Sequence, residues 1–281
     1  MRFDYTTIGH VTVDVLEDGS RRVGGSAFYS ALQAARLGRR TLIVTRGLVS
    51  EIEQLLEPYR DELELQVQPA PQTTTLRTAG AGARRSQQLL AWAGPVSAPP
   101  LLDTAILHLA PVARESPGHW HGQADFVGLT PQGLAREWSA DGRQIEPTPP
   151  TAEAAAIAAS CNAVVINEHE RDSCGGLIAA AGAAGAVVAI TAGAHPNTIL
   201  VPGRQALTLD VPTLDRPIDD LGAGDVFAAA FFIALSEERS APEAAGFANA
   251  AAAVRMSGAG ADAIGELAAI EARLSRVAPA R

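Results

Sequence analysis

Apolar positions recur along this chain in two rhythms, and the alternation of the two predicts its elements. Short runs rich in β-branched residues, "YTTIGHVTV", "RTLIVTRG" and "LELQVQP", read as strands. Between them lie "GGSAFYSALQAARLG", which starts after a glycine pair and stops at Gly38, and "SEIEQLLEPYRDEL", which Pro58 shortens or kinks; both read as helices. Strand and helix thus alternate over the first seventy residues, which predicts a parallel sheet with helices on its faces. Residues 73–93, "TTTLRTAGAGARRSQQLLAWA", break the rhythm: two polar β-like runs flank "GAGA", as in a hairpin standing off the main sheet. The alternation resumes through "AILHLAPV", "DFVGLTP", "AVVINE" and "AVVAITAG", and "NTILVPGRQALTLDVP" reads as an antiparallel hairpin closing one edge. Three helical segments follow, "GAGDVFAAAFFIALSEE", "APEAAGFANAAAAVRMSG" and the amphipathic "IGELAAIEARLSRV". There is no internal repeat, and the Pro- and Ala-rich "EPTPPTAEAAAIAAS" reads as a loop entering a helix rather than a linker, so a single domain over 1–281 is expected.

Charge narrows the classes of function. The formal net charge is -9 and all 22 basic residues are arginine, a balance that argues against a nucleic-acid partner. The two cysteines, Cys161 and Cys174, match no metal-ligand spacing and read as reduced core thiols. The N-terminal stretch has no signal-like apolar core, and Gly, Pro or charge interrupts the alanine-rich runs before they could span a membrane. A cytoplasmic protein with no membrane partner is the expectation.

The chemistry concentrates in "DDLGAGDVFAAAFF", residues 219–232. Gly222, Ala223 and Gly224 have almost no side chains, so their N–H groups can approach an anion where the following helix points its positive end. Asp225, in the first turn, can accept a proton from an attacking hydroxyl beside such a hole. The residues alone leave a second reading open: a glycine-rich helix start with Asp225 as its cap. A P-loop is excluded by the absence of lysine, and the first strand lacks the dinucleotide fingerprint.

"DDLGAGD" resembles the Asp-Thr-x-Gly-Ala-Gly-Asp signature of the ribokinase-like, PfkB-type carbohydrate kinases, and further landmarks occur in that family's order. They are Asp14 before the "GG" of "VGGSAFYSALQAARLG", the N-x-x-E form of "NEHE", "ITAGAHPNTI", and "FANAAAAVRMSGAGA". The resemblance implies an α/β, ribokinase-like fold: a mainly parallel central sheet flanked by helices, with a small β lid from about residues 11–23 and 73–93. It implies an ATP-dependent kinase that phosphorylates a hydroxyl of a sugar or cyclitol. Asp225 would be the base, and Gly222, Ala223 and Gly224 would hold the transferring phosphoryl group. Asn167 and Glu170 would organise Mg²⁺ through its waters, Thr191 and Gly193 would border the nucleotide, and Asn249 would face the adenine. Asp219 would contribute to a monovalent-cation (K⁺) site. On the acceptor side, Asp14 would bind hydroxyls, Gly24 and Gly25 would let the backbone approach the substrate, and Arg136 of "TPQGLAREW" would lie at the pocket edge. A homodimer through the lid belongs to the same set of expectations. The low pKa usual for an acid at a helix N-terminus is expected for Asp225.

Four departures from the family pattern bear on specificity. Tyr29 stands where ribokinases proper have a sugar-binding Asn, which points to a ring substrate such as inositol or, alternatively, a nucleoside. Asp220 replaces a hydroxyl residue, "TAGAHPN" lacks a last glycine and carries Pro196, and the short span from Asp14 to Gly24 implies a reduced lid. A catalytically silent ligand-binding relative is the alternative from another class, and the retained Asp225 argues against it.

Overall fold

The computed structural model describes residues 2–80, 85–97, 99, 101–139, 144–214 and 216–275. Its centre is a nine-stranded sheet in the order β15-β14-β13-β12-β9-β8-β1-β4-β5. The middle of that sheet is β1 (Phe3–Ile8), β4 (Thr41–Gly47), β8 (Leu102–Leu109), β9 (Gly122–Leu129), β12 (Ala163–Asn167) and β13 (Val187–Ala192), with β5 (Glu64–Pro69) at one edge. All neighbours among these pair in parallel. The other edge is closed antiparallel by β14 (His195–Leu200) and β15 (Leu207–Leu209), the hairpin expected from the sequence.

Both faces of the sheet are buried, which is why its strands read as near-continuous apolar runs. Side chains alternate between two cores. Tyr5, Ile43, Ile106, Val165 and Ala189 face one core, shared with α1 (Ser26–Arg36), α2 (Val49–Leu56), α5 (Ala223–Ser236), α6 (Ala241–Met256) and α7 (Leu267–Leu274). Their neighbours Val44, Leu107, Val164 and Val188 face the other, under α3 (Ala152–Ala159) and α4 (Gly175–Ala183). The mainly parallel sheet with helices on both faces is the architecture expected from the sequence. Cys161 and Cys174 are both free and buried, as their spacing suggested.

"YTTIGHVTV" is not one strand. β1 ends at Ile8, and Gly9 passes so close to the Ala110 carbonyl that a side chain there would collide with it. The chain then leaves the main sheet and re-enters strand as β2 (Thr12–Val15) in a second, four-stranded sheet ordered β3-β2-β6-β7. Its other strands are β3 (Arg21–Gly24), β6 (Thr75–Ala79) and β7 (Ser86–Ala91), so both stretches expected to stand off the main sheet contribute to it. Three residues of the "GAGA" turn, 81–83, fall outside the described residues. A short hairpin that the hydrophobic pattern did not reveal, β10 (Arg136–Trp138) with β11 (Ile145–Pro147), braces this sheet from below. Trp138 packs on Trp92 at 5.7 Å between ring centroids, beside Leu76 and Leu89. Pro58 ends α2 as expected: a 3-10 turn, Glu57–Tyr59, follows directly. No helix of the described residues is long and apolar enough to cross a membrane.

Candidate functional site

Two helices begin side by side at the carboxyl ends of the parallel strands, the place where open α/β sheets bind ligands. α1 and α5 pack together, and the Ser30 hydroxyl donates to the Asp225 carbonyl at 3.1 Å. α5 starts abruptly because Gly222 takes a left-handed conformation, φ 79°, as N-cap. A side chain at Gly222 would also run into the Tyr29 ring, so glycine is required there twice over.

The first N–H groups of a helix have no partner inside it. Ala223 donates its N–H to the Asp220 carbonyl at 3.2 Å, so it is not available to a ligand. The N–H groups of Gly224 and Asp225 have no hydrogen-bond partner among the described residues, and Gly224 opens onto free space. Of the three amides read off "GAG", only that of Ala223 is taken; those of Gly222 and Gly224 have no hydrogen-bond partner among the described residues.

Asp225 keeps part of its surface open, yet its pKa is not low. Burial outweighs the Ser26 hydrogen bond and the charges of Arg136 and Arg85, and with Glu170 also pushing upward the carboxyl rises to about 6. The helix-start argument underestimated desolvation, which at a packed site exceeds the pull of helix amides.

A polar chain extends from Asp225 to "NEHE". Ser26 bonds the carboxylate, Gln132 donates to the Ser26 hydroxyl, Arg136 donates to the Gln132 carbonyl oxygen at 3.0 Å, and Arg136 lies 3.5 Å from Glu170. Arg136 thus sits between Asp225's support and Glu170, where its guanidinium balances two acids. Asn167 ends β12 beside Thr191 of β13, and its side chain accepts from the His169 N–H. Gly193, φ 60°, leads a tight two-residue turn into β14, so Pro196 lies within a strand rather than reshaping the turn. Asn249 is buried; its carbonyl oxygen accepts from Asn197 and its amide reaches the Asp210 carbonyl. That side chain ties α6 to β14.

On the other side, Asp14 of β2 is buried at 3% exposure. Burial pushes its carboxyl up to about 6 against the Thr12 hydroxyl, 2.9 Å away, and the charges of Arg22 and Arg85. Gly24 has no room for a side chain because the Asp14 carboxylate fills it, and at Gly25 the His10 carbonyl does the same. At both positions glycine is required by close approach of the protein's own oxygens. Tyr29 is buried with its hydroxyl unpartnered, and burial together with Asp14 raises its pKa. Asp14 and Asp225 are joined by three residues: Gly24 rests on Asp14, and Ser26 holds Asp225.

Asp219 is enclosed by arginines. Arg22 lies 3.0 Å and Arg255 2.9 Å from its carboxylate, which also accepts from the Leu221 and Gly260 N–H groups. Burial opposes ionisation there, but these donors win and hold the carboxyl well below the usual range. Arg85 pairs with Asp220, which explains how the charge of Asp220 is accommodated. Ser26, Gln132, Arg22, Arg85 and Arg255 were not singled out as site residues from the sequence; only their folded neighbours mark them.

Residues 134–266, which span the NEHE segment, α5 and α6, match the pfkB family carbohydrate kinase model. That stretch is PfkB-type in sequence. No curated protein matches the chain. Among solved structures, a pyrophosphate-dependent kinase in the ribokinase family, complexed with a pyrophosphate analog and myo-inositol, aligns at TM-score 0.75 and 20% identity over 91% of this chain and 96% of its own. A fructokinase double mutant from Vibrio cholerae O395, with fructose, ADP and potassium ion bound, aligns at 0.75 and 21% over 96% and 98%. Arabidopsis thaliana ribokinase with ribose and ATP aligns at 0.69 and 18% over 98% and 99%. The PfkB-type match and these folds agree with the family resemblance of the glycine-rich segment.

Proposed function

We propose that the protein is an ATP-dependent phosphotransferase that moves the γ-phosphoryl group to a hydroxyl of a sugar or cyclitol. The observation that carries this reading is the segment Gly24–Ser26, which ties a buried acceptor-side acid, Asp14, to an acid beside free helix amides, Asp225. In this reading Asp14 holds the hydroxyl, Asp225 takes its proton and the free amides receive the transferring anion.

In this reading the acceptor lies against Asp14 and the Tyr29 hydroxyl, both buried and able to bond a polyol. As its oxygen forms the bond to phosphorus, the bond from phosphorus to the leaving oxygen breaks, and the proton passes to Asp225. A carboxylate with a pKa of about 6 is ionised at neutral pH and is a better base than an unshifted one. The Gly224 and Asp225 N–H groups receive charge on the phosphoryl oxygens, and phosphoryl transfer depends mainly on such positioning and electrostatics.

The described residues contain no group of three or more His, Cys, Asp or Glu that could hold a metal ion. That fits Mg²⁺, which is commonly held by substrate phosphates with one or two carboxylates. Glu170, half-buried beside Arg136, and Asn167 are the side chains that would meet its waters. The metal would neutralise charge on the phosphates. Thr191 and Gly193, at the end of β13, would border the donor.

Pyrophosphate is the second reading for the donor. The Asn249 carbonyl oxygen is engaged by Asn197, and a donor without a base needs no adenine contact; a pyrophosphate-dependent kinase is among the structures this fold resembles. The test is phosphoryl transfer measured with each donor across sugars, cyclitols and nucleosides. Transfer to a cyclitol or sugar is expected; transfer to nucleosides alone would overturn the acceptor class, and none at all would sink the kinase reading.

A further inference from the structure

The expected monovalent-cation site at Asp219 does not fit this structure, because a guanidinium already fills the place. Arg255, on α6, is fully buried, and its charge is directed into a set of oxygens. Nη1 donates to the Asp219 and Gly258 carbonyls at 3.3 and 3.2 Å, and Nη2 donates to the Asp219 carboxylate at 2.9 Å and the Leu221 carbonyl at 2.6 Å. Three carbonyls and a carboxylate converging on one positive charge form the kind of all-oxygen set that replaces the hydration shell of a bare cation. Below it lies the Tyr29 ring, whose centroid is 5.7 Å from the guanidinium carbon and whose face attracts a cation.

The loop held in this way is the one that sets the phosphate site. Leu221 immediately precedes the left-handed Gly222, and the Asp220 carbonyl fixes the Ala223 N–H. The loop's carbonyls would repel one another and splay without a charge between them. From these contacts, the geometry points to Arg255 as a built-in cation: its guanidinium pins the Asp219–Gly222 turn and aims the Gly224 and Asp225 amides, so that turnover needs no K⁺. The claim about turnover rests on the kinase reading above; the claim about the turn does not.

The test uses the full chain, with ionic strength held constant by tetramethylammonium chloride while K⁺ is raised. Wild-type turnover is expected to stay flat. Arg255→Ala is expected to lose about 10²-fold in kcat, the scale of a displaced catalytic group, with acceptor KM little changed, because a positioning defect acts on the reacting geometry. Guanidinium ion, and to a lesser degree K⁺, should restore it. A wild type stimulated by K⁺, or a folded Arg255→Ala rescued by neither ion, overturns the proposal. Should that variant not fold, Arg255→Lys is expected to keep K⁺-independent turnover, and a folded but inactive lysine variant overturns the claim. Hydrogen exchange at residues 219–225 separates failure of this inference from failure of the kinase reading, since it requires no turnover. Protection independent of K⁺ in the wild type, and restored by guanidinium in Arg255→Ala, supports the pinned turn; protection that rises with K⁺ in the wild type overturns it.

Discussion

Asp14 and Asp225 both hold their protons more tightly than free aspartates, and each has a consequence that can be measured. Asp225 works as a base only when ionised, so kcat/KM should rise with pH through about 6 and level off above it. A profile flat across that value would contradict the burial-raised pKa. Asp14 shows the same shift in stability. Its folded-state pKa of about 6 exceeds the ordinary value of 3.8, so its stabilising contribution is complete below the unfolded value and is lost as pH rises through the folded one. Two pKa units correspond to at most about 3 kcal/mol. Asp14→Asn should therefore gain stability relative to wild type on going from acidic to neutral pH, read from denaturant midpoints at both. The same variant should weaken acceptor binding far more than donor binding; equal losses would place Asp14 outside the acceptor pocket. The sequence marked both acids through the motifs around them, but it could not show their protonation, because that is set by burial in the fold, opposed by Thr12, Ser26 and three arginines.

Among elements, the start of α5 carries the tightest constraint. Gly222→Ala would force a left-handed alanine, about 1–2 kcal/mol, and push a methyl into the Tyr29 ring. A loss of about 2–4 kcal/mol is expected once overpacking is added, and a smaller residue at position 29 should recover part of it. Full recovery would mean that backbone strain contributes nothing. For "NEHE", Glu170→Gln should raise the Mg²⁺ concentration needed for half-maximal turnover and leave the fold intact; an unchanged Mg²⁺ titration would reduce Glu170 to a partner of Arg136. The elements themselves were largely legible in the chain, since buried parallel strands and alanine-rich helices leave strong apolar patterns. Where the pattern misled, as in "YTTIGHVTV", a close approach of Gly9 to the Ala110 carbonyl redirected the chain. The β10–β11 hairpin left no clear signal because three-residue strands are too short to show a period.

At the scale of the molecule, Asp14 and Asp225 sit on different parts of the structure. Asp14 belongs to the small sheet, and Asp225 to a helix packed on the main one. Their approach through Gly24–Ser26 could not be read from the sequence, which gives order along the chain but not which distant groups share a cleft. Most of the site's cations are of that kind, including Arg22, Arg85 and Arg255. The central claim is that Asp225 takes the acceptor's proton beside the α5 amides. The most direct measurement is single-turnover phosphoryl transfer by wild type and Asp225→Asn on the acceptor found by the screen. Asparagine keeps the shape and still suits a helix start, so the fold and donor affinity should hold while transfer falls by roughly 10²–10⁴-fold. Near wild-type transfer by a folded Asp225→Asn would contradict the account and leave Asp225 without a part in proton transfer.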